Sequence, residues 1–243
     1  MYGFSIAPTS DPVELNKYDS MQAGEALQSA WADHCSETGK SSIPGADANG
    51  AYLLTAQDFR NHPDILNALW GISEVGFGKI LGAHHPMSME VTREFFENSL
   101  LADGVFAVVR YHEGEPVCFG SLAMDLDHND WIDCDSTALQ ASIKTAKELG
   151  ETPVHFFELI SDGSRGIAFS PDVLGLVLDL AGRTGRHYNV YFESTNLSAT
   201  YIPKIVKQQV EKSDKVKFTD KVHLLGKLHY WYMKHVVNQQ PIR

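Results

Sequence analysis

Three cysteines in 243 residues, Cys35, Cys118 and Cys134, are too few and too scattered to staple a fold. None stands in a C-x-x-C pair, so neither a disulfide framework nor a zinc knuckle is expected, and reduced thiols are the preferred reading. Long apolar runs are also missing: none approaches the roughly 20 residues of a membrane-spanning helix. The opening MYGFSIAPTSDPVEL has neither the basic start nor the apolar stretch of a signal peptide. A cytoplasmic protein without a membrane span is expected. Positive charge is scarce as well, with 20 Lys and Arg against 31 Asp and Glu and a formal net charge of -11. Nonspecific nucleic-acid affinity comes from Lys and Arg neutralising phosphates, so nucleic acid is not an expected partner. Metal ligands fall in the wrong pattern. His84 and His85 are adjacent, not four apart as a helical zinc pair must be. The calcium-like run at Asp125, Asp127 and Asn129 has Asp130 where the loop needs glycine and Ser136 where it needs a bidentate glutamate.

What is present is an ordinary globular composition, 43% apolar, in a chain long enough to bury a sizeable core. The first 48 residues read as an appendage: one helix between Pro12 and Cys35, then a small-residue linker, SETGKSSIPGADANG. From residue 49 the elements follow closely. Ala51 to Asp58 reads as a strand and Pro63 opens a helix that carries Ile65, Leu66, Leu69 and Trp70 on one face. A second helix opens at Ser88. Gly104 to Tyr111 and Pro116 to Met124 form a hairpin about His112-Glu113-Gly114-Glu115. The acidic stretch Asp125 to Asp135 leads into the helix-forming STALQASIKTAKELG, and then Val154 to Ile160 reads as a strand. A Gly-rich turn, SDGSRGIA, meets a helix at Ser170-Pro171. Asn189 to Glu193 is a further strand, Leu197 to Val210 a helix, and the tail holds a strand near Val216 and a long aromatic one, HLLGKLHYWYMKHVV.

This order resembles the core of the GCN5-related N-acetyltransferases (GNAT), with one inserted helix. Three local features carry the resemblance. The hairpin VFAVVRYHEGEPVCFGSLAM is similar to the family's second and third strands, with Gly120 near the middle of the latter. Glu158-Leu159-Ile160 followed by Gly163-Ser164-Arg165-Gly166-Ile167-Ala168 resembles the fourth strand and its pyrophosphate loop. Glu193-Ser194-Thr195-Asn196-Leu197-Ser198-Ala199 resembles the fifth strand running into the next helix. The sequence departs from the family pattern at Gly163, where Gln or Arg is usual, and at Pro203, where Tyr is frequent.

The resemblance implies an α/β (α+β) fold: a central mixed, mostly antiparallel sheet flanked by helices, over residues 49–243, with a helical extension and linker over residues 1–48. It implies an acyltransferase using acetyl-CoA or another acyl-CoA, with a small-molecule amine or amino-acid acceptor. Leu159, Ile160, Ser161, Gly163, Ser164, Arg165, Gly166, Ile167, Ala168 and Asn196 are the implied cofactor-binding residues. A Gly-rich turn at a helix start can aim several backbone N–H groups at one anion, and the helix dipole favours negative charge there. A plain strand-to-helix connection has the same composition. Glu158, inside the apolar run VHFFELI, is the candidate general base, because burial raises a carboxyl toward neutrality; the alternative is an ion-paired carboxylate. Tyr201 is the candidate proton donor to the leaving thiolate, with packing as its other role. Related folds give two further readings: an N-acyl amino acid or acyl-homoserine lactone synthase fed by acyl carrier protein, and a binding protein without catalysis. A homodimer is left open.

Overall fold

A computed structural model provides the structure and describes residues 2–10, 19–81, 89–124, 137–162, 166–192 and 201–224. The first element is one the sequence reading did not anticipate, the strand β1 (Tyr2–Pro8). Helix α1 (Ser20–Thr38) follows, starting later than Pro12 because Asp19 caps it by accepting from Gln22 N, and it ends at Gly39, whose φ of 67° glycine tolerates. Strand β2 (Gly50–Thr55) passes directly into the short helix α2 (Ala56–Asn61), where a strand to Asp58 was expected. A capping box ends the strand there: Thr55 Oγ1 accepts from Asp58 N and Asp58 Oδ2 accepts from Thr55 N.

Helices α3 (Pro63–Leu81) and α4 (Met89–Leu100) precede the hairpin of β3 (Val105–His112) and β4 (Glu115–Ala123). The hairpin turn is Glu113 at φ 54° and Gly114 at φ 86°, two left-handed residues that match the strand twist. Helix α5 (Thr137–Glu148), strand β5 (Thr152–Ser161), a 3₁₀ turn (Gly166–Phe169), helix α6 (Ser170–Arg183), strand β6 (Tyr188–Phe192), helix α7 (Tyr201–Lys212) and strand β7 (Val216–Leu224) complete the order. Most of the aromatic tail expected as a long strand, His229 to Tyr232 included, lies outside the described residues. So do His84, His85 and Asp125 to Ser136.

The strands form one seven-stranded sheet in the order β2-β3-β4-β5-β6-β1-β7. Every pairing is antiparallel except β5 with β6. The architecture is thus the mixed, mostly antiparallel sheet flanked by helices that the GNAT resemblance implied. The N-terminal segment is more than an appendage to it. β1 lies between β6 and β7 and pairs with both, placing Ile6 opposite Tyr188 and Phe218. Its signal was the alternation Tyr2, Phe4, Ile6, a strand period.

Strand alternation assigns the two faces. A Cβ on Gly120 would meet Phe156 and Val173, so this position of β4 faces α6. Its neighbour Phe119 stands edge-on to Phe96 of α4, ring centroids 6.1 Å apart, on the other face. Helices α1 and α6 share the first face, tied by His34 Nδ1 with Asp179 Oδ2 at 2.9 Å and by Arg183 Nη1 donating to Glu37 Oε2 at 2.8 Å. The edge strand β2 is closed from the side. Lys40 Nζ donates to the Ala51 carbonyl and sits 4.4 Å from the Tyr52 ring centre, which satisfies an open carbonyl that would invite another strand. No helix among the described residues is long and apolar enough to cross a membrane.

Candidate functional site

The parallel pair β5/β6 begins at Thr152 opposite Tyr188 and ends at Phe156 opposite Phe192. β5 continues to Ser161, and β6 is described as far as Phe192. Over residues 157–161 β5 stays bonded to β4, with Cys118 opposite Ser161. Among the described residues no strand covers its other edge.

A bulge lies just beyond Phe156. Leu122 pairs with Phe156 while its neighbour Ser121 pairs with Glu158, leaving Phe157 as the extra residue. Phe156 and Glu158 are two apart in sequence yet stand opposite adjacent residues of β4. Simple alternation along VHFFELI therefore does not assign Glu158 to a face.

The chain leaves β5 at Asp162, whose N–H donates to the Val117 carbonyl at 3.0 Å, and re-enters the described structure at Gly166. The 3₁₀ turn Gly166–Phe169 runs straight into α6. A helical segment leaves its first N–H groups without internal acceptors, and in a turn that opens at Gly166 these are the groups of Gly166 and Ile167. No side chain closes the start of α6: Phe169 occupies the cap position without a side-chain hydrogen bond, and Pro171 in the first turn has no N–H.

Two residues of β3 flank this turn, and the sequence reading passed over both. Arg110 lies with its guanidinium carbon 5.0 Å from the Phe169 ring centre, and its Nε donates to Asp172 Oδ2 at 2.9 Å in the first turn of α6. His112 places its ring 5.1 Å from that of Phe169 and pairs through Nδ1 with Asn49 Oδ1 at 2.9 Å. Their spacing of two along β3 was a usable signal, since it puts both on one face beside the hairpin tip. Asp172 with Arg110 makes a charge pair at the helix start, so the turn is lined by one cation already partnered and one histidine.

Cys118, beside this turn, is not a reactive thiol. Cys118 is fully buried, with Sγ 3.9 Å from Ser170 Oγ, and burial pushes its thiol up to about 12. A thiol so raised stays protonated and is a poor nucleophile.

The implied cofactor residues are distributed as follows. Leu159, Ile160 and Ser161 lie on the one-sided stretch of β5, with Ile160 buried and the other two half-buried. Gly166, Ile167 and Ala168 form the 3₁₀ turn, and Ala168 is exposed. Gly163, Ser164, Arg165 and Asn196 fall outside the described residues, as do the side chains of Glu158 and Tyr201. The backbone of Glu158 directly follows the bulge, and Tyr201 opens α7. The structure thus brings Leu159 to Ser161 and Gly166 to Ala168 to the same end of the sheet.

No family model matches the chain, and no curated protein matches it. Solved structures do. The aminoglycoside N-acetyltransferase AAC(6')-Iy, solved with CoA, is 13% identical over 68% of this chain and 89% of its own, with a TM-score of 0.40. An aminoglycoside acetyltransferase from an uncultured soil metagenomic sample, solved with sisomicin, is 10% identical over 75% of this chain and 97% of its own, with a TM-score of 0.42. An acetyltransferase of Trypanosoma brucei is 17% identical over 65% of this chain and 90% of its own, with a TM-score of 0.33. At such identities the likeness concerns the fold, and function has to be argued from this chain's own residues.

Proposed function

We propose that the chain is an N-acyltransferase that takes an acyl group from a coenzyme A thioester and transfers it to a small amine or amino acid. The observation that carries the reading is the 3₁₀ turn that runs into α6 without a side-chain cap, at the same end of the sheet as the last residues of β5. These are two different binding elements at one end of the sheet. The backbone of β5 over residues 157–161 suits the amide-bearing arm of coenzyme A, which hydrogen-bonds as an extended strand does. The N–H groups that open the turn, those of Gly166 and Ile167, suit its pyrophosphate. Glycine at 166 lets an anion approach the backbone closely.

Transfer to an amine needs a neutral nucleophile, a polarised thioester carbonyl and a proton for the leaving thiolate. Glu158, the first residue beyond the bulge, is the proposed base that takes the proton from the attacking nitrogen. The new C–N bond forms as the C–S bond breaks, and Tyr201 is the proposed donor to the thiolate. The donor is written as coenzyme A because the turn supplies an anion site; a thioester on a carrier protein would not need its pyrophosphate donors.

Titration calorimetry with CoA tests the reading, and micromolar to submillimolar binding is expected. Gly166→Val should weaken CoA by about tenfold or more while the unfolding temperature is held, because the substitution blocks approach to the turn rather than the core. Absence of CoA binding at millimolar concentration overturns the proposal. Binding without turnover on a panel of amines would favour a protein that keeps the fold and the ligand without the catalysis.

A further inference from the structure

Helix α6 carries a carboxylate at the end where the proposed donor needs an anion site: Asp172 stands in its first turn. A negative side chain there suits the helix, because the N-terminal end of the backbone dipole is positive. It also opposes any second anion brought to the same end. At helical rises of about 1.5–2.0 Å per residue, the Asp172 backbone lies within roughly 12 Å of Gly166, where the turn opens. At low ionic strength the screening length exceeds that separation, so the two anions would repel.

One cation reaches this carboxylate from the sheet. Arg110 of β3 stands opposite Cys118 of β4, which stands opposite Ser161 of β5, so the arginine lies in the row from which β5 leaves toward the turn. Its guanidinium is fixed at three places. Nε donates to Asp172 Oδ2 at 2.9 Å, Nη1 donates to the Tyr111 carbonyl, and the central carbon lies 5.0 Å from the Phe169 ring centre. The Arg110 side chain is 14% exposed and that of Asp172 50%. A guanidinium keeps its charge at any ordinary pH. An ion pair with one partner this open to solvent contributes little to stability, so its consequence lies in the field it leaves at the helix start.

We propose that Arg110 is a positioning residue for donor binding: it acts through Asp172, cancelling the carboxylate that would otherwise repel the donor's pyrophosphate from the start of α6. The inference rests on the acyl-CoA reading above and names a residue outside the turn on which donor affinity depends.

Titration calorimetry with CoA at low ionic strength, run on a double-mutant cycle, provides the test. Arg110→Gln alone bares the carboxylate and should weaken CoA by about three- to fivefold, whereas Asp172→Asn alone leaves the cation and should tighten CoA by a similar factor. The double variant has the same net charge at the helix start as the wild type, and the two should bind CoA within about twofold of each other. Both single-variant differences should shrink as salt is raised. If Arg110 acted only by packing on Phe169, the double variant would bind as poorly as Arg110→Gln, and that result overturns the inference. Should Arg110→Gln fold poorly, Asp172→Asn carries the test by itself: CoA binding no tighter than in the wild type overturns the inference and leaves the functional reading standing. Failure of the wild type to bind CoA at millimolar concentration overturns both.

Discussion

The two halves of strand β5 differ in how completely the protein uses them. From Thr152 to Phe156 the strand is bonded to β6, and it carries the fully buried His155 and the core residue Val154. Beyond Phe156 it has a described neighbour on one side only. The same contrast recurs at the two helices that follow strands directly or nearly so. Helix α2 begins with a complete capping box, whereas α6 begins with Phe169 and no side-chain cap. Where the chain closes its own hydrogen bonds, the groups serve folding. Where a helix start is left without a side-chain cap, as at α6, the proposed ligand has groups to bind. Mutations in the closed regions should therefore cost stability, and those in the open regions should cost affinity or turnover.

Glu158→Gln gives the largest expected effect and probes the open half. Turnover should fall by about 10²- to 10⁴-fold, the usual range for a general base, with CoA affinity kept. The acidic limb of the pH–rate profile should flatten in the variant. If rate and limb both survive, Glu158 is structural and the division of β5 into a folding half and a working half breaks down.

Gly120→Ala probes the closed side of the same junction. The new methyl would sit 2.8 Å from the Phe156 ring and 3.1 Å from Val173, so the ring must move within a packed layer. A loss of roughly 1–3 kcal/mol in chemical unfolding is expected, the range for overpacking. An unchanged midpoint would mean that this layer is looser than its burial implies.

His155 sharpens the comparison through pH. Burial alone depresses its imidazole from 6.5 to about 3, so the folded protein holds it neutral while the unfolded chain takes up a proton below pH 6.5. The unfolded state then binds more protons, and stability falls as pH drops from about 6.5 toward 3, by up to about 1.4 kcal/mol per pH unit. Urea unfolding at a series of pH values measures the slope, and His155→Gln should flatten it whatever its effect at neutral pH. A wild-type slope of zero over this window would show that the histidine is not held neutral.

Thr55→Ala has the smallest expected effect. Loss of the capping box at α2 should cost about 1 kcal/mol of stability and leave CoA binding unchanged. A change in CoA affinity here would contradict the separation between closed and open helix starts.

Much of this arrangement was legible in the sequence. Pro63, the Glu113-Gly114 turn and Ser170-Pro171 act through local backbone preferences, and the elements they begin or join lie where those preferences put them. The pairing of β1 was not legible, although its alternation was present, because the strand's partners are almost the whole chain away in sequence. The 3₁₀ turn at Gly166–Phe169 and the bulge at Phe157 were hidden for a different reason. Glycine-rich and apolar segments permit several backbone paths, and the neighbours of each segment select among them. Arg110 and His112 were visible as residues, but nothing near them in sequence announces Phe169.

By itself, then, the sequence determined the kinds and order of most elements from β2 onward, because caps, turns and hydrophobic period act over a few residues. It also determined the glycine-rich composition of the β5–α6 turn. Tertiary structure alone decided that β1 lies between β6 and β7, that β5 bulges at Phe157, and that Gly120 lies under the Phe156 ring. Each of these depends on contacts between segments distant in the chain, whose pairing is settled by packing and register rather than by any local preference.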